Sequence, residues 1–328
     1  MLDIVILTVR PKEKDFRFAL HGELVQQGHR VEYIFLKSNP QVISSETLRC
    51  VDLTFMQFLR HMAGMRRAGR RPVFFNSTNL AFPELSVILR LVAGGQWIFD
   101  MHDDLLYDLG GIRRLIARVR QGVVLAASHQ IVHAAPALKQ LFPRSEHLGN
   151  GSSLQPLPKL PNRHSHILVM ASFDGRFDFD FMRAVAFSCP QLSFDLYGHL
   201  TDNAGVRESM AHLLEVCGNI HHFGAYDEQG LPALLAQYNV SFAPYKVGHL
   251  LTQYIDPLRF YHCLASGTAI VSTAIPQALA MWDQIIVVQN PDEVAKAIER
   301  SLSLEVKPAR SWYQVAQRLT QIIRAYNT

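Results

Sequence analysis

The chain has 328 residues, of which 48% are hydrophobic and 18% are charged. Charged residues make up about 25% of an average soluble protein, so this composition excludes a disordered chain and indicates broad buried or partner-facing surface. The net charge of +4 is too small to indicate nucleic acid by itself, although it is compatible with a phosphorylated ligand or an anionic membrane surface. At about 100–200 residues per domain, the length predicts two domains.

Short apolar runs alternate with longer segments of helical periodicity along the first half of the chain. This pattern predicts strands over 4–8, 31–36, 72–76, 96–100 and 129–132. Helices are predicted between them, over 17–28, 55–69, 85–92 and 112–127. Such alternation is typical of a parallel, doubly wound α/β sheet.

A segment over 147–162, with three prolines and no periodicity, predicts an interdomain connection. The pattern then restarts, with strands over 165–170, 192–198, 220–223, 240–244 and 268–272. Helices are predicted over 179–188, 210–216, 230–238, 256–265 and 311–326. We therefore predict an α/β fold of two doubly wound, Rossmann-like domains that face each other across a cleft. The domains are expected over 1–152 and 153–308, and a helix within 309–328 is expected to pack back on the first domain.

The cysteines and the apolar runs predict the compartment. Cys50, Cys189, Cys217 and Cys263 are far apart, so neither a zinc site nor a disulfide framework is indicated, and a reducing cytosol fits best. The apolar run near the N-terminus is too short for a signal peptide, and no stretch reaches the ~18 residues of a transmembrane helix. We expect a cytoplasmic protein whose contact with a membrane, if it has one, is peripheral and at the inner face.

Acidic side chains gather at the carboxyl end of the strand predicted over 96–100. Asp100, Asp103 and Asp104 lie within five residues, with His102 among them. Like charges disfavour joint ionisation, so one of these carboxylates could act as a general base at neutral pH. Two other interpretations stay open: Asp103 or Asp104 caps the following helix, or the carboxylates hold Mg²⁺ or Mn²⁺.

A second candidate site surrounds the helix predicted over 256–265. Pro257 suits the first turn of that helix. Its apolar face is formed by Leu258, Tyr261, Leu264 and Ala265. Asp256 and Arg259 fall in the first turn, where free N–H groups and a guanidinium make an anion site. An ordinary surface ion pair between these two residues explains the same pattern.

A third, weaker candidate follows the first strand of the second half. Gly175 and Arg176, in the run Ser172-Phe-Asp-Gly-Arg, could approach a phosphate group. Phosphate-binding loops usually contain several glycines, and this one contains a single glycine. A plain turn therefore explains the segment as well.

Two helical segments of the first half are both basic and amphipathic. The first, over 55–71, has an apolar face of Phe55, Phe58, Leu59, Met62 and Met65. Its arginines are Arg60, Arg66, Arg67, Arg70 and Arg71. The segment over 112–120 repeats the pattern with Arg113, Arg114, Arg118 and Arg120. Each could bind a membrane surface, or pack into the core with a solvated face.

Several common sites are absent from the sequence. The histidines form no recognisable metal-binding spacing, and neither a G-x-S-x-G elbow nor a P-loop lysine motif occurs. The segment over 8–19, directly after the first strand, contains no glycine, which disfavours a dinucleotide-binding oxidoreductase. We expect neither a metal nor a cofactor.

Several segments carry a family pattern, all but one of them in the second half. Residues 257–271, PLRFYHCLASGTAIV, are similar to P-[LM]-K-x-x-E-Y-L-A-x-G-x-P-V-V. Phe223-Gly224, the helix over 231–235 and the run over 241–245 resemble a glycine, helix and "PY" stretch, and 148–151 is similar to a "PNGVD" crossing. This half thereby resembles the donor domain of GT-B glycosyltransferases, and the first half resembles them in layout. Within that class, the chain looks closest to the glucuronosyltransferases of xanthan-type exopolysaccharide assembly.

The resemblance implies roles for individual residues. The first domain would bind the acceptor and the second the nucleotide sugar, which is a substrate. Asp103 would deprotonate the acceptor hydroxyl, and Arg259 would hold the donor diphosphate. His262 stands where relatives carry a glutamate that holds the ribose, and Tyr245 would line the donor site. The other donor-side residues are Asp256, Pro257, Phe173, Asp174 and Gly198. On the acceptor side stand Asp104, His102 and Arg10.

Two departures from the family pattern bear on mechanism. His262 replaces a carboxylate, and the spaced glutamate pair of retaining relatives is missing, which favours inversion by a single base. The resemblance therefore implies an inverting, metal-independent transfer from a UDP-linked sugar to a glycan or lipid-linked oligosaccharide in cell-surface polysaccharide synthesis. Two rivals stay open: a GT-B epimerase or hydrolase, and a non-catalytic nucleotide-sugar-binding partner protein.

Overall fold

The computed structural model describes residues 1–8, 15, 17–36, 49–76, 87, 94–102, 109–159 and 165–326. Contacts divide the chain into two units. The first contains Met1–Asn150 together with Trp312–Thr328, and the second contains Gly151–Ser311. The last helix of the chain is therefore part of the first unit.

The first unit is built on a seven-stranded parallel sheet. Its strands are β1 (Asp3–Thr8), β2 (Arg30–Leu36), β3 (Arg49–Leu53), β4 (Val73–Asn76), β5 (Gln96–Met101), β6 (Gln130–His133) and β7 (Glu146–His147). The described helices between them are α1 (Phe18–Gln26), α2 (Phe55–Arg67), α3 (Gly111–Ala127) and α4 (Leu138–Leu141). The strand order is β3-β2-β1-β4-β5-β6-β7, so the direction of winding reverses between β1 and β4. The helix predicted over 85–92 lies outside the described residues, apart from position 87.

The second unit is built on a six-stranded parallel sheet. Its strands are β8 (His166–Met170), β9 (Ser193–Tyr197), β10 (Ile220–Gly224), β11 (Val240–Ala243), β12 (Ala269–Thr273) and β13 (Ile285–Val288). Its α-helices are α5 (Phe179–Ser188), α6 (Ala204–Val216), α7 (Leu231–Ala236), α8 (Leu250–Gln253), α9 (Leu258–Ala265), α10 (Pro276–Ala280) and α11 (Val294–Leu302). The order β10-β9-β8-β11-β12-β13 reverses between β8 and β11. Ligands of such sheets bind at the carboxyl ends of the strands beside this reversal.

The central strands are covered on both faces, which explains their unbroken apolar runs. In β1, Ile4, Val5, Ile6 and Leu7 are all fully buried. The second unit has a separate apolar cluster for each face of its sheet, one around Val169 and Phe242 and the other around Leu168 and Ile270. Three strands that the sequence analysis missed, β3, β7 and β13, are all at sheet edges. They are short, and an edge strand has only one neighbour to support it.

Helix α2 is a core helix. Thr54 caps it in a capping box with Gln57, and its Phe58, Met62 and Met65 are buried in one cluster with Trp97. The apolar face of this basic segment is therefore used inside the unit, and only its arginine face is solvated. Within the described residues, no helix is both long and apolar enough to cross a membrane.

The last helix, α12 (Trp312–Tyr326), packs against α1 in the first unit. Leu319 is fully buried on its inner face, and the Thr320 hydroxyl lies 3.0 Å from His29 Nε2. Leu304, in the second unit, is 49% exposed and offers a matched site for the same substitution.

Leu319→Ala is expected to lower the free energy of unfolding of the first unit by about 2–5 kcal/mol, because it leaves a cavity between α12 and α1. Trp97 and Trp312 are buried in that unit and Trp282 is 78% exposed in the other, so urea unfolding followed by tryptophan fluorescence reports the first unit. Leu304→Ala is expected to change the midpoint little. Equal effects of the two substitutions would contradict the assignment of α12 to the first unit.

Candidate functional site

A buried ion pair lies at the carboxyl end of β5 in the first unit. Arg17 Nε is 2.7 Å from Asp100 Oδ2, and both side chains are almost completely excluded from solvent. Arg17 also donates to the Gly149 carbonyl oxygen at 2.8 Å. Burial would raise the pKa of Asp100, but the charges of Arg17 and His102 outweigh that effect and hold the pKa below its ordinary value. Asp100 is therefore ionised, and its role is to pair with the buried guanidinium of Arg17.

Of the three residues predicted on the acceptor side, His102 is the one that the structure describes. Its Nε2 bonds Asp100 Oδ2, and Arg17 Nε lies 3.4 Å from the same ring nitrogen. The imidazole is buried in this cluster, and its orientation is set by the carboxylate. Through His102, the ion pair fixes where the chain leaves β5.

A second carboxylate supports the same corner. Asp15 Oδ1 accepts the Arg17 backbone N–H at 3.0 Å, and Asp15 Oδ2 accepts the Tyr33 hydroxyl at 2.9 Å. His21 Nε2 is 3.6 Å from Asp15 Oδ2. Burial would raise the pKa of Asp15, yet the interactions with His21, Arg17 and Tyr33 hold it at about 2.

Three predicted site residues, Asp103, Asp104 and Arg10, lie outside the described residues. The helix that follows the acidic segment, α3, has Gly110 at its N-cap instead of either aspartate. Among the described residues, no group of three or more histidine, cysteine, aspartate or glutamate side chains could hold a metal ion. The interpretation of Asp103 as a base stays a prediction.

The second unit places Arg259 at the reversal of its strand order. Arg259 is in the first turn of α9, and its Nη1 donates to the carbonyl oxygen of Met170, the last residue of β8. Its guanidinium carbon also lies 4.9 Å from the centre of the Tyr245 ring, just after β11. The carbonyl and the ring thus hold one cation at the carboxyl ends of two neighbouring strands.

A second cation stands beside Arg259. Arg176 Nε donates to both carboxylate oxygens of Asp174 at 3.0 Å, which fixes the loop after β8. Burial would raise the pKa of Asp174, but its hydrogen bonds with Arg176 keep it below the ordinary value. Arg176, Arg259 and Tyr245 line one small cavity together with Ser172 and the backbone around Pro244. The cavity itself is only about 10 Å³ and has room for one water molecule. The surface around it carries the guanidinium of Arg259 and that of Arg176, which is paired with Asp174, and guanidiniums are the usual protein partners of phosphate groups.

The residues just before α9 have structural contacts. Asp256 accepts the Tyr261 hydroxyl at 2.9 and 3.0 Å with its two oxygens, and it is buried. Pro257 is the N-cap residue of α9, and the helix itself begins at Leu258. Helix α9 is also buried more widely than its periodicity predicts, since Phe260 and Cys263 are buried as well. The predicted donor-binding role of Asp256 and Pro257 is untested, and their contacts position α9.

His262 lies one turn along α9. Its Nδ1 is 2.9 Å from the Ser152 hydroxyl, where the chain enters the second unit. Burial lowers the pKa of His262 to about 4, so the imidazole is neutral at neutral pH. A neutral imidazole offers one donor and one acceptor nitrogen, and Ser152 engages one of them.

Two of the predicted donor-side residues, Phe173 and Gly198, pack inside the loops after β8 and β9. Phe173 is fully buried, with its ring 5.0 Å from that of Phe177 and 5.3 Å from that of His222. Gly198 has a φ of +150°, and a Cβ there would overlap the Ala171 carbonyl oxygen. The glycine is required because the loops after β8 and β9 approach each other so closely.

Several residues of these surfaces carry no signal in the sequence. The pairing of Arg17 with a carboxylate 83 positions later is one of them, because no local pattern marks it. The stacked pair Tyr197 and Phe223, with ring centres 4.9 Å apart, joins the ends of β9 and β10. A more open cavity of about 540 Å³ lies between the loops after β8 and β9, lined in part by Asp174, Asn203 and Lys246.

Solved structures of the same fold match nearly the whole chain. AviGT4, a glycosyltransferase involved in avilamycin A biosynthesis, has a TM-score of 0.65 at 12% identity, over 99% of this chain and 97% of its own. A UDP-forming trehalose-phosphate synthase from Burkholderia xenovorans has 0.61 at 12% identity, over 99% and 100%. TarM has 0.70 at 7% identity, over 100% and 99%. The predicted fold class, two α/β units of GT-B architecture, is confirmed.

The sequence matches no protein-family model and no curated protein. At the identities of the solved structures, the likeness establishes the fold alone.

The Asp15 cluster predicts a pH dependence. Because the pKa of Asp15 is about 2 in the folded chain and 3.8 in the reference state, ionised Asp15 stabilises the fold above pH 4, and this contribution is lost as the pH falls toward 2. The difference corresponds to about 2 kcal/mol. Asp15→Asn is therefore expected to be less stable than the wild type at pH 6, with a gap that narrows as the pH falls.

Tryptophan fluorescence during urea unfolding at a series of pH values measures that gap. Asp283→Asn, at a half-exposed carboxylate 3.6 Å from Lys307, is the control and is expected to follow the wild type. A gap between Asp15→Asn and wild type that stays constant with pH would contradict the assignment.

Proposed function

We propose that this chain is a glycosyltransferase that moves a sugar from a nucleoside-diphosphate donor to a glycan or lipid-linked oligosaccharide acceptor. The observation that carries the proposal is the placement of Arg259. It is held by the Met170 carbonyl and the Tyr245 ring beside Arg176, at the strand ends where sheets of this kind bind ligands. Structures of glycosyltransferases share the fold, and one of them is described as UDP-forming.

The leaving group of such a transfer is a nucleoside diphosphate, on which negative charge develops as the bond to the sugar breaks. Arg259 supplies a fixed cation, with Arg176 beside it in an ion pair with Asp174, and the N-terminus of α9 adds N–H groups at the same end of the sheet. Such preorganised charge can stabilise the departing diphosphate without a metal ion, which is why we propose a metal-independent reaction. His262, neutral and held by Ser152, is the group that we propose for the ribose.

The proposed base is Asp103, which would take the proton from the acceptor hydroxyl during an inverting displacement. Support comes from its position directly after His102, because the buried pair of Arg17 and Asp100 anchors that residue. The proposed donor is UDP-linked, with a hexose or a glycuronic acid as in the xanthan-type glucuronosyltransferases that the second half resembles. The proposed setting is cell-surface polysaccharide synthesis with peripheral membrane contact.

Arg259→Gln is expected to weaken binding of the nucleotide sugar and to slow transfer by about 10²–10³-fold, because one preorganised donor to the diphosphate is lost. A thermal-shift panel of nucleotide sugars measures binding, since a ligand at ~100 times its dissociation constant adds ~2.7 kcal/mol of stability. Arg207→Gln, at a 58% exposed arginine of the same unit, is the control. Unchanged donor binding by Arg259→Gln would place the diphosphate elsewhere.

Asp103→Asn is expected to slow transfer by at least about a hundredfold while the thermal shift with the nucleotide sugar is retained, because a base acts on the acceptor and not on the donor. The assay follows transfer and free sugar separately. Retention of more than about a tenth of the wild-type rate would correspond to under ~1.4 kcal/mol and would rule out this base. Free sugar released without an acceptor would favour the hydrolase, and binding without turnover over many acceptors would favour the non-catalytic partner.

A further inference from the structure

The first three turns of α3 have no buried face. Nine of the first ten residues of Gly111–Ala127 are exposed, and the buried positions, Gln121, Val124 and Ala127, all lie in the second half of the helix. A helical segment of this length is only marginally stable in water unless one face is covered. No described residue buries this part of α3, so its exposed face is available to contact another molecule.

An aliphatic stripe runs along this exposed segment. At 100° per residue, its members fall within an arc of about 100°. The exposed fractions are 73% for Ile112, 61% for Leu115, 51% for Ile116, 61% for Val119 and 36% for Val123. Single exposed apolar residues are ordinary, but five on one face of one helix form a contiguous patch of the kind that marks an interaction site.

The charged residues of α3 itself are all arginines. Helix α3 contains Arg113, Arg114, Arg118 and Arg120 and no acidic residue. On the helical wheel, Arg113 and Arg120 follow one edge of the stripe and Arg118 lies beyond the other. The surface is thus aliphatic along its centre and cationic at its sides.

We propose that the Ile112–Val123 stripe of α3, with its flanking arginines, is a docking surface for an anionic lipid bilayer. Aliphatic side chains enter the boundary between headgroups and acyl chains, while arginines at the same depth bind anionic headgroups. The surface deepens the proposed function, since a lipid-linked acceptor would be presented at such a bilayer. Its physical basis, the exposure and charge of α3, does not depend on any catalytic residue.

Other occupants fit the charges or the stripe less well. A second copy of this chain would bring four more arginines against these four, which is repulsive. Nucleic acid phosphates would pair with the arginines. Five aliphatic side chains would not contribute to that contact, because single strands bind proteins by stacking their bases on aromatic rings. An acidic protein is the remaining occupant, and the experiment below separates it from a bilayer.

Helix α2 provides an internal comparison, because its sequence has the same basic, amphipathic pattern. Its apolar residues Phe58, Met62 and Met65 are buried in the core, so its exposed arginines are not accompanied by an apolar stripe. Exposed Arg60, Arg67 and Arg71 thus allow removal of the same charge from the same unit without touching an aliphatic stripe.

The experiment is vesicle flotation of the full chain, with vesicles of phosphatidylcholine alone or mixed with phosphatidylglycerol. The wild type is expected to float with the mixed vesicles and to stay behind with the neutral ones, and salt is expected to weaken binding. Removing Arg113, Arg118 and Arg120 together by substitution with Gln is expected to lower the partition constant by about a hundredfold, at ~fivefold for each arginine. Leu115→Ser with Val119→Ser is expected to lower it at least ~tenfold, because the apolar part of the contact is lost.

The control is Arg60→Gln with Arg67→Gln and Arg71→Gln, which removes equal charge and is expected to retain most of the binding. A wild type that does not float with anionic vesicles would overturn the proposal in favour of a protein partner. An equal loss in the α2 control, or full binding by the Leu115 and Val119 variant, would overturn it in favour of diffuse electrostatics. Thermal shift with nucleotide sugars on the same α3 variants is expected to match the wild type, so failure of docking and failure of the proposed activity give different results.

Discussion

One buried guanidinium organises the first unit. Arg17 is fully excluded from solvent, and a charge in that position is stable only with a close counter-ion and satisfied donors. Asp100 supplies the counter-ion, and the Gly149 carbonyl accepts a further N–H. Three segments far apart in sequence are joined in this way: the start of α1, the end of β5 and the last loop before the second unit. Loss of one partner would leave an unpaired buried charge.

The second unit uses arginine differently. Arg259 and Arg176 are half-buried, and both line a cavity at the strand ends. Arg176 is oriented by Asp174, while Arg259 is held by a carbonyl oxygen and an aromatic face, neither of which cancels its charge. A cation that binds an anionic ligand must be held in place by groups that do not neutralise its charge, and Arg259 meets this condition, whereas Arg176 is paired with a carboxylate. The contrast between Arg17 and Arg259 is therefore the contrast between an anchor and a binding group.

Much of this could be predicted from the sequence, because its signals are local. The alternation of apolar runs and helical periods predicts two doubly wound units. The placement of Pro257 and Arg259 at the start of a predicted helix indicates where the second unit concentrates its positive charge. The pairing of Arg17 with Asp100 could not be predicted, since it joins positions 83 residues apart. Neither could the packing of Asp256 against Tyr261, because an acidic residue beside an arginine has the same sequence pattern whether it faces a ligand or a tyrosine.

Helices α2 and α3 separate what the sequence determined from what tertiary structure decided. Their periodicity determined that each is amphipathic and basic, because the positions of apolar and charged residues around a helix depend on sequence alone. Whether an apolar face is covered depends on which other elements reach it. Phe58 and Met62 of α2 meet the sheet and are buried, while Ile112 and Leu115 of α3 meet no described element and stay exposed. Chain topology makes that difference, since among the described elements it places α2 over the sheet and buries only the second half of α3.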